Sequence, residues 1–205
     1  MLIPLSGLET SSVYITMTQT VLPRPIAWVL SENENSTLNL APFSFFNAVC
    51  NDPPLVMISI GPNDDGSCKD TLRNAMERPE LVIHIASTDQ LADLNLSSAT
   101  LAPGVSEVVA GGLDVTAVEN HRLPRLSDCK IAFMSTVHKI DRIGTNGRQH
   151  LVFARIESVY VADDCVEYDD KNRLNIRADR IRPLSRLGAN YYSSFGELLF
   201  AKRPA

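Results

Sequence analysis

The sequence predicts a mainly β protein with a few helices, most simply a β-barrel. Three observations carry this. Several short runs alternate or concentrate β-branched residues, and turn signals separate them. Helical spacing is confined to short segments. No G-x-G-x-x-G follows a strand, which removes the doubly wound dinucleotide fold. Repeats, low-complexity tracts and a Pro/Gly/Ser-rich linker are all missing, so the 205 residues read as one domain, 1–205.

In chain order, Pro25–Leu30 (PIAWVL) reads as a strand, Ser31–Ser36 (SENENS) as a turn, and Thr37–Leu40 as the returning strand. Then comes NLAPFSFFNAV, residues 39–49, with Phe43, Phe45 and Phe46 around Ser44. Phe43 and Phe45 would share a strand face, and Phe46 breaks the alternation. Asp52-Pro53-Pro54 halts the chain, and Leu55–Ile60 (LVMISI) is a buried strand. The loop Gly61–Gly66 (GPNDDG) leads to a helix start at Ser67–Asp70, where a serine followed three residues later by an acid resembles a capping box. Leu72, Ala75 and Met76 continue that helix to Pro79. Leu81–Ala86 is a strand, and Asp89 to about Ala99 is a second short helix. Lys130–Ile140 and His150–Val161 are strands around a turn at Gly144–Gly147, and Ala99–Asp128 carries no motif.

Bulk properties narrow the function. Hydrophobic content of 44% and charged content of 21% are those of a soluble globular chain. The net charge of −5 argues against a general nucleic-acid binder. Lys171–Arg203 holds eight basic and two acidic residues, so it is a solvated basic face or a segment near an anionic ligand or subunit. Cys50, Cys68, Cys129 and Cys165 lie far apart, with neither zinc-ligand spacing nor a disulfide framework. The N-terminus is not a signal peptide, and the apolar runs are too short to span a bilayer. A cytoplasmic location is the default expectation. The four histidines show no metal-ligand spacing, and no G-x-S-x-G elbow exists, so no catalytic side chain and no metal ligand is assigned. His84, inside LVIHIA, reads as a core histidine.

Four stretches could bind a ligand. Gly61–Thr71 joins a loop to a helix N-terminus, where free N–H groups and the dipole favour an anion, with Ser67, Lys69 and Thr71 beside them. Three aspartates there would serve an ordinary capped helix equally well. Arg24 sits between two prolines on a stiff stem and suits phosphate. The phenylalanines beside Ser44 and Asn47 could wall a planar heteroaromatic ring, or simply fill the core. In Arg182–Phe200, arginines, Asn190 and Tyr191-Tyr192 suit a second ligand, a subunit surface or a cap on the core.

Taken in order, PRPIAWV, NLAPFSFFNAV, DPPLVMISIG and KDTLRN, followed by HLVFARIESV, RLGANYY and the closing KRP, resemble the flavin reductase-like, FMN-binding split-barrel family, including its flavoredoxin-type members. The resemblance implies a Greek-key split β-barrel that forms a homodimer, with FMN near the subunit interface and NADH or NADPH as electron donor. It implies that Pro42, Phe43, Ser44 and Asn47 border the flavin ring, and that Ser59 and Ile60 lie beneath the ribityl chain. Lys69, Asp70 and Thr71 would receive the phosphate, with Arg24 as helper. Arg186, Gly188, Asn190 and Tyr191 would approach the cofactor or the nicotinamide. His150 falls in the region that many members use for nicotinamide, but the Gly-Asp-His pattern is replaced by Gly147-Arg148-Gln149-His150. Ala154-Arg155-Ile156 stands where Gly-Glu-Val is common, and Cys50 stands for a usual serine. Two functions follow as expectations: an FMN-dependent oxidoreductase passing electrons to flavin, oxygen or a protein, or a non-catalytic FMN or small-molecule binding module on the same barrel. A barrel that binds no flavin is the third possibility.

Overall fold

The computed structural model describes residues 1–202 and 204, so Arg203 of the closing KRP lies outside the described residues. The chain opens with α1 (Thr10–Thr20), then β1 (Arg24–Pro25), β2 (Ala27–Glu32), β3 (Leu38–Phe43), β4 (Phe46–Asn51) and β5 (Pro54–Ile60). Helix α2 (Asp70–Glu77) and β6 (Glu80–Ile85) follow, then α3 (Leu91–Leu96) and α4 (Glu107–Ala110). The hairpin β7 (Val115–Val118) and β8 (His121–Leu126) precedes two long strands, β9 (Ile131–Ile143) and β10 (Gln149–Val161). The chain closes with β11 (Val166–Tyr168), β12 (Leu174–Ile176), α5 (Ala178–Ile181), β13 (Ser185–Arg186) and β14 (Tyr192–Ser193).

Seven strands form one antiparallel sheet in the order β3-β2-β6-β9-β10-β5-β4. Its two outer strands, β3 and β4, are consecutive in the chain, with Ser44 and Phe45 alone between them. So short a link forces the sheet to curl until its edges meet, and the Ser59 N–H donates to the Phe45 carbonyl at 2.8 Å beside that seam. Two register irregularities between β9 and β10 interrupt the ladder, and such bulges bend strands locally. The Phe-rich corner is thus where the barrel closes. The expectation that Phe43 and Phe45 share one strand face fails here, because the strand ends at Phe43. Phe43 and Phe46 pack against the barrel interior, while the Phe45 ring lies 6.3 Å from the Tyr14 ring of α1.

Strand β2 is buried on both faces. Ala27 and Val29 face the lumen with Val56, Ile58, Ile60, Ile83 and Val152. Trp28 and Leu30 face a second core with Leu40, Val82, Leu94 and Leu123. Strands covered on both sides read as continuous apolar runs, which is why PIAWVL shows no alternation. Helix α2 adds Leu72 and Ala75 to the lumen core, and each large buried side chain contributes about 1.5–3 kcal/mol. That burial fixes the start of α2 relative to β2 and β3.

Ser67 does not cap α2, contrary to the capping-box reading. The N-cap position is Lys69, whose side chain does not cap the helix. Ser67 belongs to the preceding loop, where its N–H donates to Asp65 Oδ1 at 2.8 Å and its hydroxyl accepts from Asn63 Nδ2 at 3.0 Å. Helix α1 carries no signal that the sequence analysis recognised, because its Thr- and Ser-rich residues lack an apolar stripe and only Thr18 is buried. Among the described residues, no helix is long and apolar enough to cross a membrane.

Candidate functional site

A groove of about 700 Å³ runs from the end of β3 to the start of α2. Asn39, Ala41, Pro42 and Phe43 form one wall, and Lys69, Asp70 and Thr71 form the far end. The opposite wall is the segment after α3, including Ser97, Ser98, Thr100 and Leu101. The volume lies within the range of roughly 300–1,000 Å³ typical of small-molecule sites.

The α2 end lies at the groove and offers hydrogen-bond donors. Leu72 and Arg73 both donate to the Lys69 carbonyl, whereas the Asp70 and Thr71 N–H groups have no acceptor among the described residues. Such orphan donors sit at the positive end of the helix dipole. Lys69 is half-buried, and its ammonium donates to Asn63 Oδ1 at 3.0 Å, so its charge stays beside the helix start. Thr71 is buried and its Oγ1 accepts from Asn39 Nδ2 at 2.9 Å, leaving its hydroxyl proton free to donate. Asn39 also donates to Ser31 Oγ, and Asn74 joins Ser31 to Asn33 through bonds of 3.0 and 2.9 Å. This buried polar network ties α2 to β2 and β3. Replacing Asn39 with alanine is expected to destabilise the fold by roughly 1–3 kcal/mol, because Thr71 loses its donor in a dry site. A urea midpoint equal to wild type would remove Asn39 from this role.

Asp70 offers the groove its backbone N–H and not its side chain. Its carboxylate pairs with Arg73 and accepts from the Gly104 N–H at 3.4 Å, so only its backbone N–H faces an anion usefully. Glu107, also in the groove wall, accepts from the Leu40 N–H at 2.9 Å, and burial raises its pKa above the usual range.

The other expected site residues divide into separate groups. Arg24 does not reach the groove. It is buried, and its guanidinium donates to the carbonyls of Thr18 at 2.5 Å, Val21 at 3.0 Å and Leu187 at 2.8 Å, and to Ser44 Oγ at 3.4 Å. It thereby caps the C-terminus of α1 and staples it to the tail. Arg24, Ser44 and Arg186 line a second, smaller cavity of about 200 Å³ with Tyr14 and Leu187. Asn47 is exposed on β4, and its Oδ1 accepts from the Ala48 N–H. Ser59 accepts from Gln149 Nε2 at 2.8 Å, and Ile60 is sealed in the lumen core, so its side chain is not available to a ligand. Asn190 and Tyr191 are exposed. His150 is buried, and its Nε2 accepts from Arg142 Nε at 3.1 Å. Burial, with Arg142 next, lowers its pKa. Its other ring nitrogen has no hydrogen-bond partner among the described residues.

Gly188 is buried against α1. A Cβ there would stand 2.5 Å from Gln19 Cγ and 3.4 Å from Gln19 Cα. Gly188→Ala is therefore expected to push α1 off the tail at a cost of roughly 1–3 kcal/mol. A lowered thermal midpoint would register it, and an unchanged one would mean that Gln19 moves freely aside.

Sequence reasoning missed Asn39, the hydroxyl-rich wall Ser97–Thr100, and Glu107. The run Ser-Ser-Ala-Thr after Leu96 was the available signal, but nothing local says which loop faces the groove.

The family model described as the flavin reductase like domain matches residues 17–177. The chain belongs to this family. Nitrilotriacetate monooxygenase component B from Bacillus cereus is 30% identical, with 98% of each chain covered and a TM-score of 0.89. The 2-nitrobenzoate 2-nitroreductase NbaA from Pseudomonas fluorescens is 31% identical, with a TM-score of 0.87 over 100% of this chain and 96% of that one. Flavoredoxin of Desulfovibrio vulgaris (Miyazaki F), 18% identical over 98% and 97% of the two chains with a TM-score of 0.75, shares the fold. The barrel is thus the split barrel of the flavin reductase like family, and its groove is the place to test for flavin.

Proposed function

We propose that this chain is an oxidoreductase that binds FMN in the large groove, moves a hydride from NADH or NADPH to the flavin, and passes electrons onward to free flavin, oxygen or a protein acceptor. The observation that carries this reading is the continuity of the groove from Phe43 to the helix start at Lys69. Its residues fit the mononucleotide. An apolar wall at Pro42 and Phe43 suits a ring face, hydroxyls along Ser97–Thr100 suit a polyol chain, and unpartnered N–H groups with Lys69 suit a phosphate. Family membership supports flavin as the group.

When bound, the flavin supplies the hydride-accepting chemistry. The protein's part is to bind and orient. The N–H groups of Asp70 and Thr71, with Lys69, would anchor the anionic end, and the Asn39–Thr71 bond holds those donors in place. Phe43 and the closed barrel seam exclude water from one side. No protein acid or base is required in this reading.

A homodimer belongs to the proposal. Met17 of α1 and Leu198, Leu199 and Phe200 of the tail are all exposed large apolar residues, and they suit a second copy of the chain. Light scattering is expected to give twice the chain mass. A cytoplasmic setting is proposed on the four free cysteines.

One observation favours the rival reading, a non-catalytic flavin module. His150, at the start of β10 where the family pattern departs, is buried and accepts from Arg142 opposite it on β9. Stopped-flow mixing of FMN-loaded protein with NADH and with NADPH decides between them. Rapid bleaching of the flavin band is expected for the enzyme, and a silent trace with retained FMN would leave the module. A colourless protein that takes up no added FMN would overturn both.

A further inference from the structure

The smaller cavity, bounded by α1, the β3–β4 corner and the tail, brings two arginines together with no acid among its lining residues. Arg24 and Arg186 face each other directly across the β1–β13 pair. Like charges directly opposite one another on adjacent strands are destabilising, and an acid between them would relieve this. None is present: the lining is Tyr14, Ile15, Thr18, Gln19, Ser44, Leu187 and Ala189 besides the two arginines, and among the described residues neither arginine pairs with a carboxylate. Arg73, Arg122, Arg177 and Arg180, by contrast, all do.

The unspent hydrogen-bond capacity has one sign. Four of the five Arg24 N–H groups are used, three on backbone carbonyls and one on Ser44 Oγ, leaving one. Ser44 accepts that bond, so its hydroxyl proton is free. Arg186 gives one N–H to the Ala189 carbonyl at 2.6 Å and stacks over Tyr192 at 4.4 Å, which orients the guanidinium and leaves four donors. Burial first, and Arg186 among the lesser causes, pushes the Arg24 pKa down, while Tyr14 opposes them. A space with surplus donors and no acid is complementary to an anion. Arg24 alone would be explained by capping α1; Arg186 and the free Ser44 hydroxyl would not.

We propose that this cavity is a recognition site for a small organic carboxylate, with the carboxylate between Arg186, Ser44 and the remaining Arg24 donor, and a compact apolar body against Tyr14, Ile15 and Leu187. Two features set the class. At about 200 Å³ the space is smaller than the roughly 300–1,000 Å³ of drug-sized sites, so it takes about one ring and one charged group, not a nucleotide. Its mixed lining, a ring and two aliphatic side chains facing two guanidinium groups, suits an amphiphilic anion better than an inorganic one. The cavity is separate from the groove at Lys69, and the proposal stands whether or not flavin binds there.

Benzoate is the probe and benzyl alcohol its uncharged counterpart, both titrated into flavin-free full-length protein by calorimetry and by backbone amide NMR. Benzoate is expected to shift the amides of Ser44, Leu187 and Ala189 and to bind at least tenfold tighter than benzyl alcohol. Arg186→Gln, a change at a half-exposed side chain, is expected to weaken benzoate roughly tenfold or more. Ser44→Ala is expected to weaken it less, and serves as a second test should Arg186→Gln disturb the tail. Equal affinity for the two probes overturns the proposal. So do shifts confined to the Lys69 groove, or chloride competing as effectively as benzoate. Undiminished benzoate binding in a folded Arg186→Gln protein, with Ser44→Ala also silent, overturns it as well.

Discussion

Replacing Lys69 and Thr71 together with alanine is expected to weaken FMN retention by roughly ten- to a hundredfold, the effect of losing hydrogen bonds to a charged group. Lys69 supplies the positive charge nearest the start of α2, and Thr71 supplies a hydroxyl proton left free because its oxygen already accepts from Asn39. The two substitutions differ in what else they disturb. Thr71→Ala also strands the Asn39 amide in a buried site and should lower the unfolding midpoint, whereas Lys69→Ala removes a half-buried side chain and should not. Fluorescence titration of FMN beside a thermal melt separates lost affinity from lost fold. An unchanged flavin affinity in a folded double variant would withdraw the phosphate assignment, and with it the orientation of the ligand in the groove.

Acid is expected to unfold the protein partly through His84. This side chain is fully buried, with Nδ1 3.1 Å from the Trp28 carbonyl and Nε2 2.9 Å from the Leu126 N–H. A carbonyl at one nitrogen and an N–H at the other require the neutral ring protonated on Nδ1. Burial, opposed by the Trp28 carbonyl and aided by Arg125, lowers the pKa from 6.5 to about 4. The unfolded chain therefore binds a proton that the folded one refuses. The stability tied to His84 is complete above pH 6.5 and falls as pH drops toward 4, by about 1.4 kcal/mol per pH unit and about 3 kcal/mol in all. Urea midpoints measured at pH 7 and pH 5 should show that slope, and His84→Phe, if it folds, should flatten it by up to one proton. In the folded protein an imidazole NMR signal of His84 that titrates near pH 6.5 would contradict the account.

The His84 and Phe-rich segments show how far the sequence could be read. LVIHIA announced a core histidine because its five neighbours in that run are all aliphatic, and His84 is indeed fully buried. The strands of PIAWVL, LVMISI and HLVFARIESVYV were legible for the same reason: β-branched runs bounded by turns have few other solutions. Helix α1 was not legible. Its residues have no apolar face, and it is held by contacts from Arg24 and Gly188, far from it in the chain or beyond its end. The capping-box reading of Ser67 failed because Asp65 and Asn63 claimed that serine for the loop.

The motif residues themselves divided along the same line. The quoted run NLAPFSFFNAV proved to be two strands and a seam, so its members part company: Phe43 to the groove, Ser44 to the smaller cavity, Phe46 to the core. Adjacent residues on a strand or at a corner point to different sides, and composition alone does not say which side holds a ligand.

Reading residues in order was enough to place a β-rich barrel of the flavin reductase like kind, with a helix beginning near Lys69–Thr71. Those features are local: they depend on periodicity, turn residues and the dipole of a single helix. Which arginine meets which cavity, and which loop completes the groove, depended on the sheet curling until β3 met β4. Arg24 meets Arg186 in a separate small sheet of β1, β13 and β14, and Asn39 meets Thr71 where α2 packs on β3; such pairings across long stretches of chain are set by burial and packing that no short window contains.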